Sequence, residues 1–171
     1  MAGEKDLRTL LAAMHPVRRD GEYVHVLWPH GKELAGGIAA AVREAEGLTV
    51  VMPRAEADGL GLSYDFVGAW VTLQVHSSLE AVGLTAAVSA ALTDAGISCN
   101  VLAGVHHDHL LVPVAGAERT LEVLRRLAAD CGRIRPAAGL VLRSERPGGP
   151  PGHPGPHRRG VCRLARDRPA R

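Results

Sequence analysis

The chain has 171 residues, 46% of them hydrophobic and 22% charged, with a formal net charge of +2. No apolar run reaches the ~20 residues a membrane-spanning helix needs, which argues against a spanning protein. Aromatic residues make up only 3%, so a core must be built mostly from Val, Leu, Ile and Ala, and the composition argues against nucleic-acid recognition on stacked aromatic platforms.

The net charge divides unevenly along the chain. Residues 143–171 hold eight Arg against Glu145 and Asp167, a local charge of +6, which leaves −4 on residues 1–142. The same stretch holds six of the eleven Pro and five of the twenty Gly. Such a composition cannot bury enough apolar surface to offset its ordering entropy, and we expect a disordered basic tail. Cys99, Cys131 and Cys162 are odd in number and lack metal-ligand spacing. Met1–Asp6 is charged and Leu10–Ala13 is too short for a signal peptide, so the expected setting is the reduced cytoplasm.

In chain order, Asp6–Met14 reads as a short helix, with Leu7, Leu10, Leu11 and Met14 at helical spacing and Pro16 beyond its end. Glu22–Trp28 alternates as a strand. Residues 34–44 are ambiguous, since alanines favour a helix and Gly36-Gly37 weakens it. Leu48–Met52 reads as a strand and Arg54–Leu60 as a short helix opened by Pro53. Trp70–His76 alternates strictly, with Val71, Leu73 and Val75 on one face, which predicts a sheet with one apolar and one mixed face. A loop over His76–Gly83 leads to a helix ending near Ala95, closed by Gly96. Strands follow at Ile97–Ala103 and Leu110–Val114, then a helix over Ala117–Ala129. A last strand is placed near Leu140–Leu142. Strands with helices over one face make an α+β protein.

Several stretches together carry a resemblance. They are Arg43-Glu-Ala-Glu-Gly-Leu-Thr-Val-Val, Trp70-Val-Thr-Leu-Gln-Val-His-Ser-Ser-Leu-Glu-Ala-Val-Gly-Leu-Thr-Ala-Ala-Val, Ala95-Gly-Ile-Ser-Cys-Asn-Val-Leu-Ala-Gly and His107-Asp-His-Leu-Leu-Val-Pro-Val. In this order, over roughly residues 5–130, the chain resembles the bacterial ACT-domain-containing family once labelled a domain of unknown function. The related module of eukaryotic cytosolic arginine sensors is similar around Val82-Gly-Leu-Thr-Ala and Gly96-Ile-Ser. The resemblance implies tandem ACT-like, ferredoxin-like βαββαβ modules with antiparallel sheets and helices on one face: residues 1–67, residues 68–135, and the disordered basic tail over 136–171. It further implies a non-enzymatic regulatory protein that binds a small molecule, with an amino acid as the expected ligand, and pairs as a homodimer. Two features depart from the family pattern. Val105-His106 stands where the family tends to carry aromatics, and the basic tail has no counterpart.

The best candidate site is the loop Ser77–Gly83 with the start of the helix after it. A helix start offers unpaired N–H groups and positive partial charge that suit a carboxylate, and a glycine at 83 admits close approach to the backbone. The blander account is that Ser78 and Glu80 only open the helix and Gly83 only packs tightly. Asp108 suits a ligand ammonium. Ser78, Glu80, Gly83, Leu84, Thr85, Asn100 and Asp108 are therefore the candidate ligand-binding residues, with no cofactor, no metal and no catalytic residue assigned. Two alternatives stay open. His106-His107-Asp108-His109 offers ligand types for a metal-dependent hydrolase, although adjacent residues at a turn point in different directions. The tail's arginines offer salt-sensitive nucleic-acid binding, against a plain solvated extension.

Overall fold

A computed structural model of the chain describes residues 3–34 and 37–133. The tail over 136–171 and the strand expected near Leu140–Leu142 lie outside the described residues.

The chain opens with helix α1 (Leu7–Ala13). Asp6 caps it by accepting from the Thr9 amide at 2.8 Å and the Thr9 hydroxyl at 2.7 Å; these bonds, the amide first, hold the Asp6 carboxyl below its ordinary range. The strands and helices that follow are β1 (His15–Arg18), β2 (Tyr23–Trp28), β3 (Ala40–Glu44), β4 (Gly47–Pro53), α2 (Arg54–Gly59), β5 (Val67–Gln74), α3 (Leu84–Asp94), β6 (Asn100–Ala103), β7 (Asp108–Pro113) and α4 (Ala117–Arg133).

All seven strands join one antiparallel sheet in the order β3-β4-β2-β5-β7-β6, with β1 beside β5. The long strand β5 explains how this works. One of its edges is paired along Gly68–Leu73 by β7. Its other edge takes two partners end to end: β2 through Tyr23↔Gly68 and Val24↔Val67, and β1 through Arg18↔Val71 to His15↔Gln74. The second half thus assembles as β5-α3-β6-β7-α4 and receives its fourth strand from the N-terminus, in the order β1-β5-β7-β6. The first half assembles as β2-β3-β4-α2 and receives its fourth strand from the start of β5, in the order β5-β2-β4-β3.

Side chains alternate across this sheet as the pleat requires. Ala69, Val71, Leu73, Leu110 and Val112 face α1, α3 and α4, where Leu10, Val88, Leu92 and Leu124 are fully buried among them. Val24, Val26, Val50 and Met52 continue the same face into the first half and pack on Ala57 of α2. Among the described residues the opposite face carries no helix. Tyr23, Val51, Trp70 and Leu111 are nonetheless buried there, under Ala39, Ala40, Phe66 and Leu102. The Arg19 guanidinium lies 5.4 Å from the Tyr23 ring centroid and 5.9 Å from that of Trp70, a geometry in which the ring faces attract the cation.

The α+β architecture, the antiparallel sheet and the single helical face agree with the sequence reading. Three local expectations change. His15–Arg18 is a strand that the sequence reading missed, since Pro16 argues against a strand except at an edge, where its missing N–H costs nothing; among the described residues β1 pairs only with β5. The ambiguous 34–44 stretch resolves into the strand β3 at Ala40–Glu44, because pairing with β4 from Ala40↔Val51 to Glu44↔Gly47 outweighs the helical preference of alanine. The strand expected from Ile97 begins only at Asn100, and Ile97 and Cys99 pack on the core ahead of it. Burial pushes the Cys99 thiol up, away from thiolate chemistry.

Candidate functional site

The loop between β5 and α3 is held by the N-terminal segment. The Glu4 amide donates to the His76 carbonyl at 3.0 Å and the Ser78 amide to the Glu4 carbonyl at 3.0 Å, so Glu4 forms a parallel bridge with Ser77. Lys5 forms an ion pair with Glu80. Farther along, the loop turns on itself: the Ala81 amide donates to the Ser78 carbonyl at 2.8 Å and the Glu80 amide to the Ser78 hydroxyl at 3.2 Å.

Gly83 then caps α3 with φ +103°, in the left-handed region, and with no side-chain cap. A Cβ built there would stand 2.9 Å from Leu7 Cδ2 of α1. The backbone conformation thus favours glycine, and a side chain there would also displace the tip of Leu7.

Between this loop and the β6–β7 hairpin lies a cavity of about 90 Å³. Ser77, Ser78, Leu79 and Ala81 line it from the loop, Leu84 and Thr85 from the first turn of α3, and Ala103 and Asp108 from the hairpin. The structure therefore brings Ser78, Leu84, Thr85 and Asp108 together. Glu80 and Gly83 belong to the same loop but do not line the cavity, and Glu80 is engaged by Lys5. Asn100 lies at the far end of β6 and pairs with Leu111, on the helix-free face. Ala103 had no signal in the sequence; it reaches the cavity only because β6 pairs Ala103 with Asp108. Leu79, Val82 and Val105 stand 70%, 84% and 72% exposed on the loop and hairpin.

The arrangement suits a small zwitterion. The first amides of α3 have no intrahelical acceptor and carry the positive end of the helix dipole, while Asp108 supplies negative charge on the opposite wall.

The histidines disperse rather than converge. His107 Nδ1 lies 3.2 Å from the Val75 carbonyl. His76 and His106 stack edge-on at 5.6 Å. His109 turns to the helix-free face, where its Nδ1 lies 3.2 Å from Trp70 Nε1 and 3.0 Å from the Thr72 hydroxyl. Among the described residues, no group of three His, Cys, Asp or Glu side chains is placed to hold a metal ion.

The single indole N–H has two acceptors in reach, His109 Nδ1 and the Thr72 hydroxyl, each at 3.2 Å, and an unprotonated Nδ1 can accept from the indole or from that hydroxyl. Burial lowers the pKa of His109 below 6.5, with His107 and Arg19 acting the same way and Asp108 opposing; burial also lowers that of His25. A histidine harder to protonate when folded leaves the unfolded chain holding more protons, so stability falls as pH drops below about 6.5 and is unaffected above it. Thermal unfolding followed by circular dichroism between about pH 7.5 and pH 5 is expected to show this fall, and His109→Gln to reduce it.

Comparison with known proteins follows the same architecture. One ACT domain profile matches residues 2–69 and a second matches residues 66–126. A Vibrio cholerae protein of unknown function, described as a possible transport protein, is 40% identical with a TM-score of 0.64, and the match covers 74% of this chain and 99% of that one. The chain belongs to the ACT domain family. A protein from Agrobacterium tumefaciens shares the fold at 20% identity and a TM-score of 0.54, over 67% of this chain and 89% of that one. The aspartate kinase of Clostridium acetobutylicum does so at 10% identity and a TM-score of 0.50, over 66% of this chain and 34% of the kinase. No curated protein matches the chain. Among the described residues no helix is long and apolar enough to cross a membrane.

Proposed function

We propose that this chain is a cytoplasmic regulatory protein of ACT type that binds an amino acid, has no catalysis of its own, and works as a homodimer. The observation that carries the reading is the cavity where Ser78, Leu84, Thr85 and Asp108 meet. It sets a helix start opposite a carboxylate, with hydroxyl groups between them, which matches the ammonium and carboxylate of an α-amino acid. The modules of this proposal are residues 1–67 and 68–135, with strands exchanged at β1 and β5.

A ligand that binds only the folded state stabilises it by about 2.7 kcal/mol at a hundredfold excess over Kd. A thermal-shift screen of the twenty amino acids at about 5 mM is therefore expected to raise the Tm by several degrees for one or a few of them. Asp108→Asn should remove that shift while leaving the unliganded Tm close to that of the parent. If none of the twenty raises the Tm, the amino-acid reading fails.

A further inference from the structure

The first half of the sheet lacks what α3 supplies to the second. Among the described residues of the connection from β2 to β3, no helix forms. A cavity of about 450 Å³ lies where the end of β2 and the loop after it meet the β3–β4 turn and the start of β4. Its volume falls within the range of small-molecule sites, about 300–1,000 Å³, whereas the cavity beside α3 is about 90 Å³.

The walls and rim of this larger cavity differ in character. Trp28, Leu34 and Leu48 supply an apolar surface, with Leu34 57% exposed, and Leu27 borders the cavity from the other face of the strand. Trp28 is fixed as a wall, because its Nε1 donates to the Lys32 carbonyl at 3.0 Å and only 6% of the residue is exposed. On the rim stand Lys32, whose Nζ lies 6.0 Å from the Trp28 ring centroid, Arg43 of β3, and Glu46 of the β3–β4 turn. Among the described residues, none of these three side chains forms an ion pair. Glu44, by contrast, accepts from the Thr49 hydroxyl. The rim therefore carries two cations and one carboxylate, a net charge of +1 beside an apolar wall.

We infer that this cavity is a second binding site, for a singly charged organic carboxylate with an aromatic or branched aliphatic body. The body would lie on Leu34 and Leu48, against the exposed edge of Trp28. The carboxylate would meet Arg43, whose planar fork suits it, with Lys32 beside it. Glu46 sets the charge limit by disfavouring ligands with two or more negative charges.

The test uses the full chain, labelled with ¹⁵N, and 3-phenylpropionate as the probe. The indole N–H resonance of Trp28 is expected to shift saturably. Arg43→Gln and Lys32→Gln should each weaken binding by about tenfold, and 3-phenylpropan-1-ol should bind at least about tenfold more weakly than the acid. Glu46→Gln should tighten binding, and Asp108→Asn should leave it unchanged, which separates this site from the cavity beside α3. Equal binding of acid and alcohol overturns the inference. So does full affinity in both the Arg43 and Lys32 variants, or no saturation by about 10 mM probe.

Discussion

A polypeptide of residues 66–133 alone is expected not to fold, although it spans the whole of the second family match. The reason lies in β5. Along Val71–Gln74 its outer edge is paired by β1, and without that strand the edge is left open to water or to another chain. The same deletion removes α1, and with it Leu10 and Leu11, which are 0% and 5% exposed against α3, α4 and the sheet. Truncation of one buried leucine costs about 2–5 kcal/mol, and a domain of this size has only about 5–15 kcal/mol in total. Losing both leucines, Met14 and four strand pairs together exceeds that margin. Joining residues 3–19 after residue 133 through a short Gly/Ser linker is expected to restore the fold, because it returns the strand to its place by a different covalent route. Far-ultraviolet circular dichroism and amide dispersion in NMR check both variants. A well-folded 66–133 fragment would show that β1 is dispensable.

Gly83→Val is expected to destabilise the chain by about 2–4 kcal/mol with no ligand present. A β-branched residue at φ +103° is strained in its own backbone, and the new Cβ would press on Leu7 from 2.9 Å. The two causes can be separated. Gly83→Ala keeps the strain and the first contact, and Leu7→Ala removes the neighbour. If the Leu7 contact matters, the double variant Gly83→Ala with Leu7→Ala loses less than the two single losses combined, as denaturant unfolding would measure. Strict additivity would assign the cost to backbone strain alone. In either case the effect appears before any ligand binds.

That distinction shows what the sequence could convey about the site. A glycine before a helix and after two serines is the same pattern whether a ligand or a neighbouring helix comes close. Here Leu7, seventy-six positions earlier, is the neighbour, and no local spacing announces it. Ser78, Leu84 and Thr85 were legible because they lie within one loop and the helix it opens. Asp108 was legible by its charge, and its position opposite them follows from the pairing of Leu73 with Asp108 across β5 and β7. Asn100 read as a candidate from its polar place on a strand, but alternation puts it on the face of Leu111. Lys32, Arg43 and Glu46 gave no signal, since only the adjacency of β2, β4 and β3 gathers them.

The fold was legible where periodicity is strong. Val71, Leu73 and Val75, and Leu84, Val88 and Leu92, each mark one buried face. It was illegible where strands are short and set by partners, as at His15–Arg18 and Ala40–Glu44. The seam between the two halves was hidden for another reason: β5 has one continuous alternation, and nothing in it reveals that its two ends serve different neighbours.

The N-terminal strand also imposes an order on synthesis. Residues through Arg18 leave the ribosome first, yet the partners they require, Gln74 through Val71 of β5 and the face of α4, come later, and α4 is the last of the described elements. At about 5–20 residues per second, those first residues spend several seconds without a place to dock. Contacts this distant in sequence slow folding. The second half, together with the β1 strand it needs, is therefore complete on the nascent chain only once α4 has emerged.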